Sequence, residues 1–312
     1  MVQTDARMMD TDDRLPVASV AVCGAGTMGA GIAQVFASRG SAVMLYDSVP
    51  GATERGLGRI EHDLATAVER GKVDPAAAEV TMRRIDVVED LERLSPADLV
   101  VEAVVEDLQV KQALFESLEK ICSEESLLVT NTSTLSPTEI ASVLADPGRS
   151  AGVHFFNPPT RMRLVELIPG QTTRPGTTQL LRDWLQATGK HVVLVNESPG
   201  GIVSRLQLLV RNEAARMLAE GVASAEDIDA AMRLGAGWPL GPLELIDLVG
   251  VDMHVNNCES LARELGSNRY APHPLVRKLM RAGQLGRKTG QGFYAYGSEG
   301  GGTKASARDH CG

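Results

Sequence analysis

Three glycines near the start of the sequence, Gly24, Gly26 and Gly29, have the spacing G-x-G-x-x-G and constrain the fold more than any other feature. An apolar run, 20–23, precedes them, and a helical repeat of apolar residues follows and stops at Gly40. This pattern predicts a strand, a tight turn and a helix. Such a turn brings backbone N–H groups and a helix N-terminus against a pyrophosphate with no side chain in between. The expected dinucleotide site comprises Gly24, Ala25, Gly26, Thr27, Met28 and Gly29.

A carboxylate follows the next apolar run, 43–46, and completes this expected site. Asp47 stands close to the spacing at which an acidic residue accepts hydrogen bonds from an adenosine ribose. Residues 48–50 contain no arginine that could bind a 2′-phosphate, so the expected cofactor is NAD. The alternative is a glycine-rich turn in some other α/β protein, which the order of strand, helix and acid disfavours.

Length and composition indicate a chain of two globular domains. Its 312 residues exceed the roughly 100 to 200 of one typical domain. No apolar run approaches the roughly 20 residues of a membrane span, and a net charge of −9 disfavours nucleic acid as a partner. The four scattered cysteines predict a reducing, cytoplasmic location. The six histidines lack the spacing of metal ligands, so no metal is expected.

The order of the patterns divides the chain into two domains. In residues 16–197 strand-like runs alternate with helical repeats, which predicts a doubly wound parallel sheet of the Rossmann type, with a helical excursion after Asp47. Residues 198–296 have only helical patterns and are predicted to be an all-α domain for substrate binding and dimerisation. Residues 1–15 are expected to be a disordered acidic leader, neither a signal nor a transit peptide. Residues 297–312 are expected to be a disordered tail.

A histidine and a glutamate stand on successive strands of the predicted sheet. His154 follows an apolar strand, at the edge where open α/β sheets bind ligands. Glu166 lies inside the next apolar strand, 164–167, where a carboxylate is costly to bury without a partner. Such a partner on one imidazole nitrogen raises the basicity of the other. Two interpretations fit this pattern: His154 and Glu166 form a catalytic pair, or His154 is a structural histidine.

Further motifs occur in order across residues 17–296. In the first domain they are GAGTMGAGIA (24–33), VEAVVED (101–107), NTS (131–133), HFFNPP (154–159) and LVE (164–166). In the second they are SPGGIV (198–203), LGAGWPLGPLELID (234–247) and GRKTGQGFY (286–294). In these motifs the sequence resembles the 3-hydroxyacyl-CoA dehydrogenases of the 3-hydroxybutyryl-CoA type.

The resemblance implies a role for each matching residue. His154 is implied as the general base for the 3-hydroxyl proton, Glu166 as the group that orients it, and Ser133 as a hydrogen-bond partner of the reacting oxygen. NAD contacts are implied for Asp47, Ala103, Glu106, Lys111, Asn131, Ser133, Asn157 and Lys288. Without the family, Ser133 reads as an ordinary turn serine and Lys111 as a solvated charge on a helix.

The sequence departs from the family where a second substrate donor is expected. The family has an asparagine facing the active site, and this chain has Ser204. A serine hydroxyl donates with a shorter reach than an asparagine amide. Gly201, three residues earlier, also leaves space. We therefore expect a pocket that accepts a bulkier or more polar acyl group.

A second departure concerns the carrier of the acyl group. Asp63 stands where the family tends to have a serine against coenzyme A. Four basic residues lie near it in the sequence: Arg55, Arg59, Arg70 and Lys72. They form a site for coenzyme A, a site for an acyl carrier protein, or a solvated face.

Taken together, these features predict an NAD-dependent L-3-hydroxyacyl-CoA dehydrogenase that reversibly interconverts 3-hydroxyacyl and 3-oxoacyl thioesters. Amphipathic helices in the second domain, with Ala and Met on their faces, predict a homodimer, as the resemblance also implies. The alternatives are a sugar-acid dehydrogenase of the L-gulonate type, an enzyme that uses an acyl carrier protein, and a catalytically silent nucleotide-binding or structural protein. The presence of Ser133, His154 and Glu166 together disfavours the last.

Overall fold

The fold is that of a computed structural model, which describes residues 17–297 and the backbone of 304–305. The predicted leader, 1–15, lies outside the described residues, as does most of the predicted tail. The chain forms two compact units that divide between Gly201 and Ile202, four residues beyond the boundary expected from the sequence.

The first unit contains an eight-stranded sheet flanked by helices. The strands are β1 (Ser19–Cys23), β2 (Ala42–Tyr46), β3 (Ile85–Val88), β4 (Leu99–Glu102), β5 (Leu127–Thr130), β6 (Ser150–Phe155), β7 (Leu164–Ile168) and β8 (His191–Leu194). The helices are α1 (Thr27–Ala37), α2 (Ala52–Glu69), α3 (Pro75–Arg83), α4 (Leu108–Ile121), α5 (Pro137–Ala141) and α6 (Pro175–Ala187). The strand order is β3-β2-β1-β4-β5-β6-β7-β8, and α2 and α3 form the predicted helical excursion.

The sheet is mainly parallel, as predicted for a doubly wound fold, but one of its pairings is antiparallel. Strand β7 runs antiparallel to β6, and β8 then runs parallel to β7. The link from β6 to β7, residues 156–163, is too short for the dozen or more residues that a parallel crossover needs. The link from β7 to β8 contains α6, which is long enough for a crossover.

Helices cover both faces of the sheet, as predicted for a doubly wound fold. Successive residues of a strand point to opposite faces. Val22 of β1 packs in one apolar cluster with Phe36 of α1, whereas its neighbour Cys23 packs in a second cluster with Phe115 of α4. Strands β1 and β4 are neighbours, and the helices that follow them lie on opposite faces. The order in which strands are added to the sheet therefore reverses between β1 and β4, which leaves a crevice at their carboxyl ends. Open α/β sheets bind ligands at such a crevice.

The second unit is mainly helical. Its helices are α7 (Val203–Ala219), α8 (Ala225–Gly235), α9 (Pro242–Val249), α10 (Val251–Glu264) and α11 (Pro274–Arg281). A two-residue strand, β9 (Ala295–Tyr296), pairs antiparallel with β10 (Lys304–Ala305), so the predicted helical domain also contains two short strands. The chain turns back after Gly290, so that the backbone N–H of Tyr296 in β9 donates a hydrogen bond to the carbonyl oxygen of Gly290.

Among the described residues, no helix is both long and apolar enough to cross a membrane. Cys23, Cys122 and Cys258 are buried free thiols, and Cys311 lies outside the described residues. The cytoplasmic location stays a prediction.

Candidate active site

The glycines of the turn after β1 meet different requirements. A Cβ on Gly24 would lie 2.5 Å from the carbonyl oxygen of Ala103, and one on Gly29 would lie 1.7 Å from the carbonyl oxygen of Gly24. These two glycines are required by backbone packing. A Cβ on Gly26 would meet nothing within 4 Å, and Gly26 caps α1 without a side-chain hydrogen bond to the helix. The space before α1 and the N–H groups of its first turn therefore fit a pyrophosphate.

Asp47 lies beside this turn. Its Oδ2 accepts a hydrogen bond from the backbone N–H of Ala25 at 2.7 Å, and its Oδ1 accepts one from Val49 at 2.9 Å. The carboxylate thus holds the glycine turn against the end of β2. A carboxylate at this place also suits the ribose hydroxyls of a dinucleotide whose pyrophosphate lies at α1.

The predicted pair of His154 and Glu166 is a direct cross-strand pair. The two residues are register partners on β6 and β7, so their side chains lie on the same face of the sheet. His154 Nδ1 lies 3.0 Å from Glu166 Oε2. Glu166 is 1% exposed and His154 7% exposed, and the ring of Phe156 packs beside the imidazole. The sequence pattern indicates that His154 follows the strand, whereas the structure has His154 within β6.

The turn after β5 brings Asn131 and Ser133 to the same edge of the sheet. Asn131 Oδ1 accepts a hydrogen bond from the backbone N–H of Phe155 at 2.9 Å, which ties the turn to the end of β6. Glu106 Oε1 accepts hydrogen bonds from the hydroxyl of Thr132 at 2.6 Å and from the backbone N–H of Ser133 at 3.0 Å. The carboxylate of Glu106 therefore fixes the conformation of the turn that carries Ser133.

Lys111 is not a solvated helix charge. Its side chain is 0% exposed, and Nζ lies 2.7 Å from Glu102 Oε1 and 3.3 Å from Glu106 Oε2. Glu102, at the end of β4, is fully buried and was missed in the sequence analysis. The signal that pointed to Glu166, a carboxylate in an apolar strand, applies equally to Glu102.

The remaining predicted site residues are more exposed. Asn157 is exposed just after β6, and Ala103 directly follows β4. In the second unit Ser204 is in the first turn of α7, and Lys288 Nζ lies 2.6 Å from both carboxylate oxygens of Asp252.

Gly201 does not leave space for a substrate. It lies before α7 begins at Val203, in a left-handed conformation with φ of +50°. A Cβ at this position would lie 2.5 Å from Glu166 Oε2, the oxygen that pairs with His154. The carboxylate of Glu166 thus fills the space, and the interpretation that Gly201 enlarges the substrate pocket is wrong.

The basic residues near Asp63 line two adjoining cavities in the first unit. The larger, of about 860 Å³, includes Asp63, Arg70 and Lys72 and has seven Arg and Lys side chains against two Asp. The smaller, of about 620 Å³, includes Arg55 and Arg59. Gln34, Asp63 and Thr160 line both. These cavities have the charge and size to hold an anionic ligand larger than a single phosphate.

Within the described residues, no group of three or more His, Cys, Asp or Glu side chains could hold a metal ion. The histidine paired with a buried carboxylate and the glycine turn at a helix N-terminus both belong to a doubly wound sheet. This combination is typical of the nucleotide-dependent dehydrogenases, in which a bound dinucleotide exchanges a hydride with the substrate.

Comparison with known proteins specifies the family. Residues 19–198 match the NAD-binding domain of 3-hydroxyacyl-CoA dehydrogenase, and residues 200–296 match the C-terminal domain of the same family. The chain belongs to the 3-hydroxyacyl-CoA dehydrogenase family. The resemblance found in the motifs is thereby confirmed, as are NAD as cofactor and oxidoreductase as the class of enzyme.

Individual relatives match over most of their length. The chain is 43% identical to 3-hydroxybutyryl-CoA dehydrogenase of Clostridioides difficile, covering 89% of this chain and 99% of that protein. It is 40% identical to human mitochondrial hydroxyacyl-coenzyme A dehydrogenase, covering 91% and 92%. The crystal structure of (S)-3-hydroxybutyryl-CoA dehydrogenase from Ralstonia eutropha superposes with a TM-score of 0.87 at 36% identity, covering 90% of this chain and all of that one.

Asp47 should make the enzyme prefer NADH. A like charge beside the 2′-phosphate of NADPH costs several kcal/mol, so we expect kcat/KM for NADH to exceed that for NADPH by at least about tenfold. Asp47→Asn removes the charge and should narrow this ratio, whereas Asp183→Asn on α6 should leave it unchanged. Equal kcat/KM values for the two cofactors in the unmodified enzyme would contradict the assignment.

Proposed function

We propose that this enzyme interconverts L-3-hydroxyacyl-CoA and 3-oxoacyl-CoA, with His154 as general base. The observation that carries the proposal is the buried pairing of His154 Nδ1 with Glu166 Oε2 at 3.0 Å. When Nδ1–H donates its hydrogen bond to Glu166, Nε2 is the unprotonated nitrogen that takes the proton of the 3-hydroxyl group. Bound NAD would supply the acceptor for the hydride of C3. The negative charge of Glu166 then stabilises the imidazolium.

The turn after β5 supplies a hydrogen-bond donor to the 3-oxygen of the substrate. Ser133 donates its hydroxyl hydrogen bond to the substrate oxygen, and Glu106 keeps the turn rigid. Gly26 and the first turn of α1 hold the pyrophosphate, and Asp47 holds the ribose. The other cofactor contacts implied by the resemblance, from Ala103, Asn131, Asn157 and Lys288, belong to this proposal.

We infer that the acyl carrier is coenzyme A. The excess of basic side chains in the larger cavity supports an anionic group of several phosphates at Arg70 and Lys72. Relatives of the chain carry 3-hydroxybutyryl-CoA or hydroxyacyl-coenzyme A in their names. Asp63 reduces the positive charge of the cavity and replaces a hydroxyl donor to the carrier.

The proposal is tested by measuring NADH oxidation with three substrates. They are acetoacetyl-CoA, the N-acetylcysteamine thioester of acetoacetate, and a 3-oxo acid derived from L-gulonate. The coenzyme A thioester should have the highest kcat/KM. Arg70→Ala should raise KM for acetoacetyl-CoA roughly three- to tenfold, the effect of about 1 kcal/mol at a solvent-screened contact, and should leave the phosphate-free thioester unchanged. Arg182→Ala, exposed on α6, is the control. Equal effects on both thioesters would contradict the carrier site, and turnover of the sugar acid alone would contradict the substrate class.

We also propose a homodimer formed through the second unit. Large apolar side chains are exposed there, including Leu206, Val222, Leu234, Leu248 and Met253. Apolar surface of this kind is typical of subunit interfaces. Light scattering after gel filtration should give twice the chain mass of 33.2 kDa. A monomer mass at micromolar concentration would contradict the proposal.

A further inference from the structure

The buried charges around α4 form a chain of contacts that ends at the turn carrying Ser133. Lys111 of α4 stands between Glu102 and Glu106, with the side chains of Lys111 and Glu102 0% exposed and that of Glu106 31% exposed. One positive charge thus faces two carboxylates inside the first unit.

Glu102 accepts hydrogen bonds from three donors. Its Oε1 accepts from Lys111 Nζ and from the backbone N–H of Val104, both at 2.7 Å. Its Oε2 accepts from the hydroxyl of Thr130, at the end of β5, at 2.6 Å. Glu102 therefore fixes where the ammonium of Lys111 lies relative to the carboxyl ends of β4 and β5.

A buried ion pair of this kind is weak support for stability, because its desolvation can cost as much as its attraction returns. Its geometry suits a different purpose. Glu106 turns Oε2 towards Lys111 and Oε1 towards the turn, where it meets donors from Thr132, Ser133 and Thr134. The two oxygens of one carboxylate therefore connect the buried lysine to the backbone of Ser133.

We propose that Lys111 and Glu102 are positioning residues, which hold Glu106 in the orientation that places the Ser133 hydroxyl for the reaction. This inference rests on the proposed role of Ser133 at the substrate oxygen. It differs from the direct NAD contact that the resemblance implies for Lys111, since the side chain of Lys111 has no exposed surface.

The charge state of Glu106 supports this arrangement. Burial raises the pKa of Glu106, but the charge of Lys111 and the hydrogen bonds from Thr132, Ser133 and Thr134 lower it, and the result lies below the ordinary value. The carboxylate is therefore ionised at neutral pH, and both of its oxygens act as acceptors.

The first test is Lys111→Met, which keeps the length of the side chain and removes its charge. We expect kcat to fall about tenfold through misplacement of Ser133, with the Kd of NADH, measured by fluorescence titration, changed less than about twofold. In a Ser133→Ala background, Lys111→Met should lower kcat little further, because the group it positions is gone. Lys120→Met, exposed on the same helix, is the matched control.

A second variant separates positioning from folding. Lys111→Met leaves Glu102 as a buried charge without its ammonium, whereas Lys111→Met combined with Glu102→Gln removes both charges. The double variant should regain much of the Tm lost by the single variant, yet keep its low kcat because Glu106 still lacks its cation. A stable double variant with the kcat of the unmodified enzyme would overturn the proposal.

Three other outcomes would also refute the proposal. If Lys111→Met weakens NADH binding and leaves kcat at saturating NADH unchanged, Lys111 acts at the cofactor and the positioning role is wrong. If Lys111→Met and Ser133→Ala lower kcat by independent factors, the two residues do not act through one another. A normal kcat for Ser133→Ala itself would refute the role of Ser133 in the proposed function, and this inference with it.

Discussion

Replacing His154 with alanine should lower kcat by roughly 10²- to 10⁴-fold, the contribution of a positioned general base. The affinity for NADH should change little, because His154 is not among the residues proposed to bind the cofactor, such as those of the glycine turn and Asp47. The kcat of acetoacetyl-CoA reduction and the NADH Kd measure the two effects. A loss of kcat under tenfold would contradict a general-base role for His154.

Glu166→Gln tests whether the pair acts as a unit. Glutamine keeps the size of the side chain but loses the negative charge that stabilises the imidazolium at 3.0 Å, so kcat should fall without a comparable loss of Tm. In the double variant the two losses should not multiply, because Glu166 acts only through His154. Glu125→Gln, at an exposed position, is the control. Independent multiplication of the losses would show that the residues act separately.

The sequence predicted most of this fold because its signals are local. All eight strands lie where short apolar runs are bounded by turn residues, and the glycine spacing predicted the turn between β1 and α1. The direction of β7 was not predicted, because it depends on a short link and on pairing with β6 across the sheet. The sequence pattern therefore did not predict the antiparallel register that sets His154 opposite Glu166. It did predict that the buried carboxylate of Glu166 needs a partner.

The buried lysine was missed for a different reason. The repeat of apolar residues at Val110, Leu114 and Leu118 predicts one buried face for α4, yet Val110 is 45% exposed. The face that is buried carries Lys111, Phe115 and Leu118. A lysine at a core position is contrary to the ordinary preference of charged residues for water, and the carboxylates of Glu102 and Glu106 offset its desolvation. The pattern of apolar residues alone does not predict that these two carboxylates lie beside Lys111.

Gly201→Ala should lower kcat by about 10- to 100-fold, although residue 201 carries no reacting group. The added Cβ would lie 2.5 Å from Glu166 Oε2, closer than real Cβ atoms approach an oxygen, so the carboxylate must move away. Misplacement of a catalytic group by about 1 Å can cost about 10²-fold in rate. The loss should appear in kcat rather than in the Kd of NADH, because the displaced group orients His154 and not the cofactor.

The backbone of residue 201 adds a second effect that a control must remove. Alanine in the left-handed conformation costs about 1–2 kcal/mol, which lowers the free energy of unfolding by itself. Gly221 has φ of +70° with nothing within 4 Å of its Cβ position, so Gly221→Ala carries the backbone strain without the clash. Both variants should lose similar Tm, and only Gly201→Ala should lose kcat.

The same substitution in a Glu166→Gln background distinguishes a local displacement from a general disturbance of the site. If Gly201→Ala acts by moving the Glu166 carboxylate away from His154, little further kcat can be lost once the charge of that carboxylate has been removed. A full additional loss in the double variant would mean that residue 201 affects the reaction by another route. Equal losses of kcat in Gly201→Ala and Gly221→Ala would instead assign the whole effect to backbone strain, and the approach of residue 201 to Glu166 would have no part in catalysis.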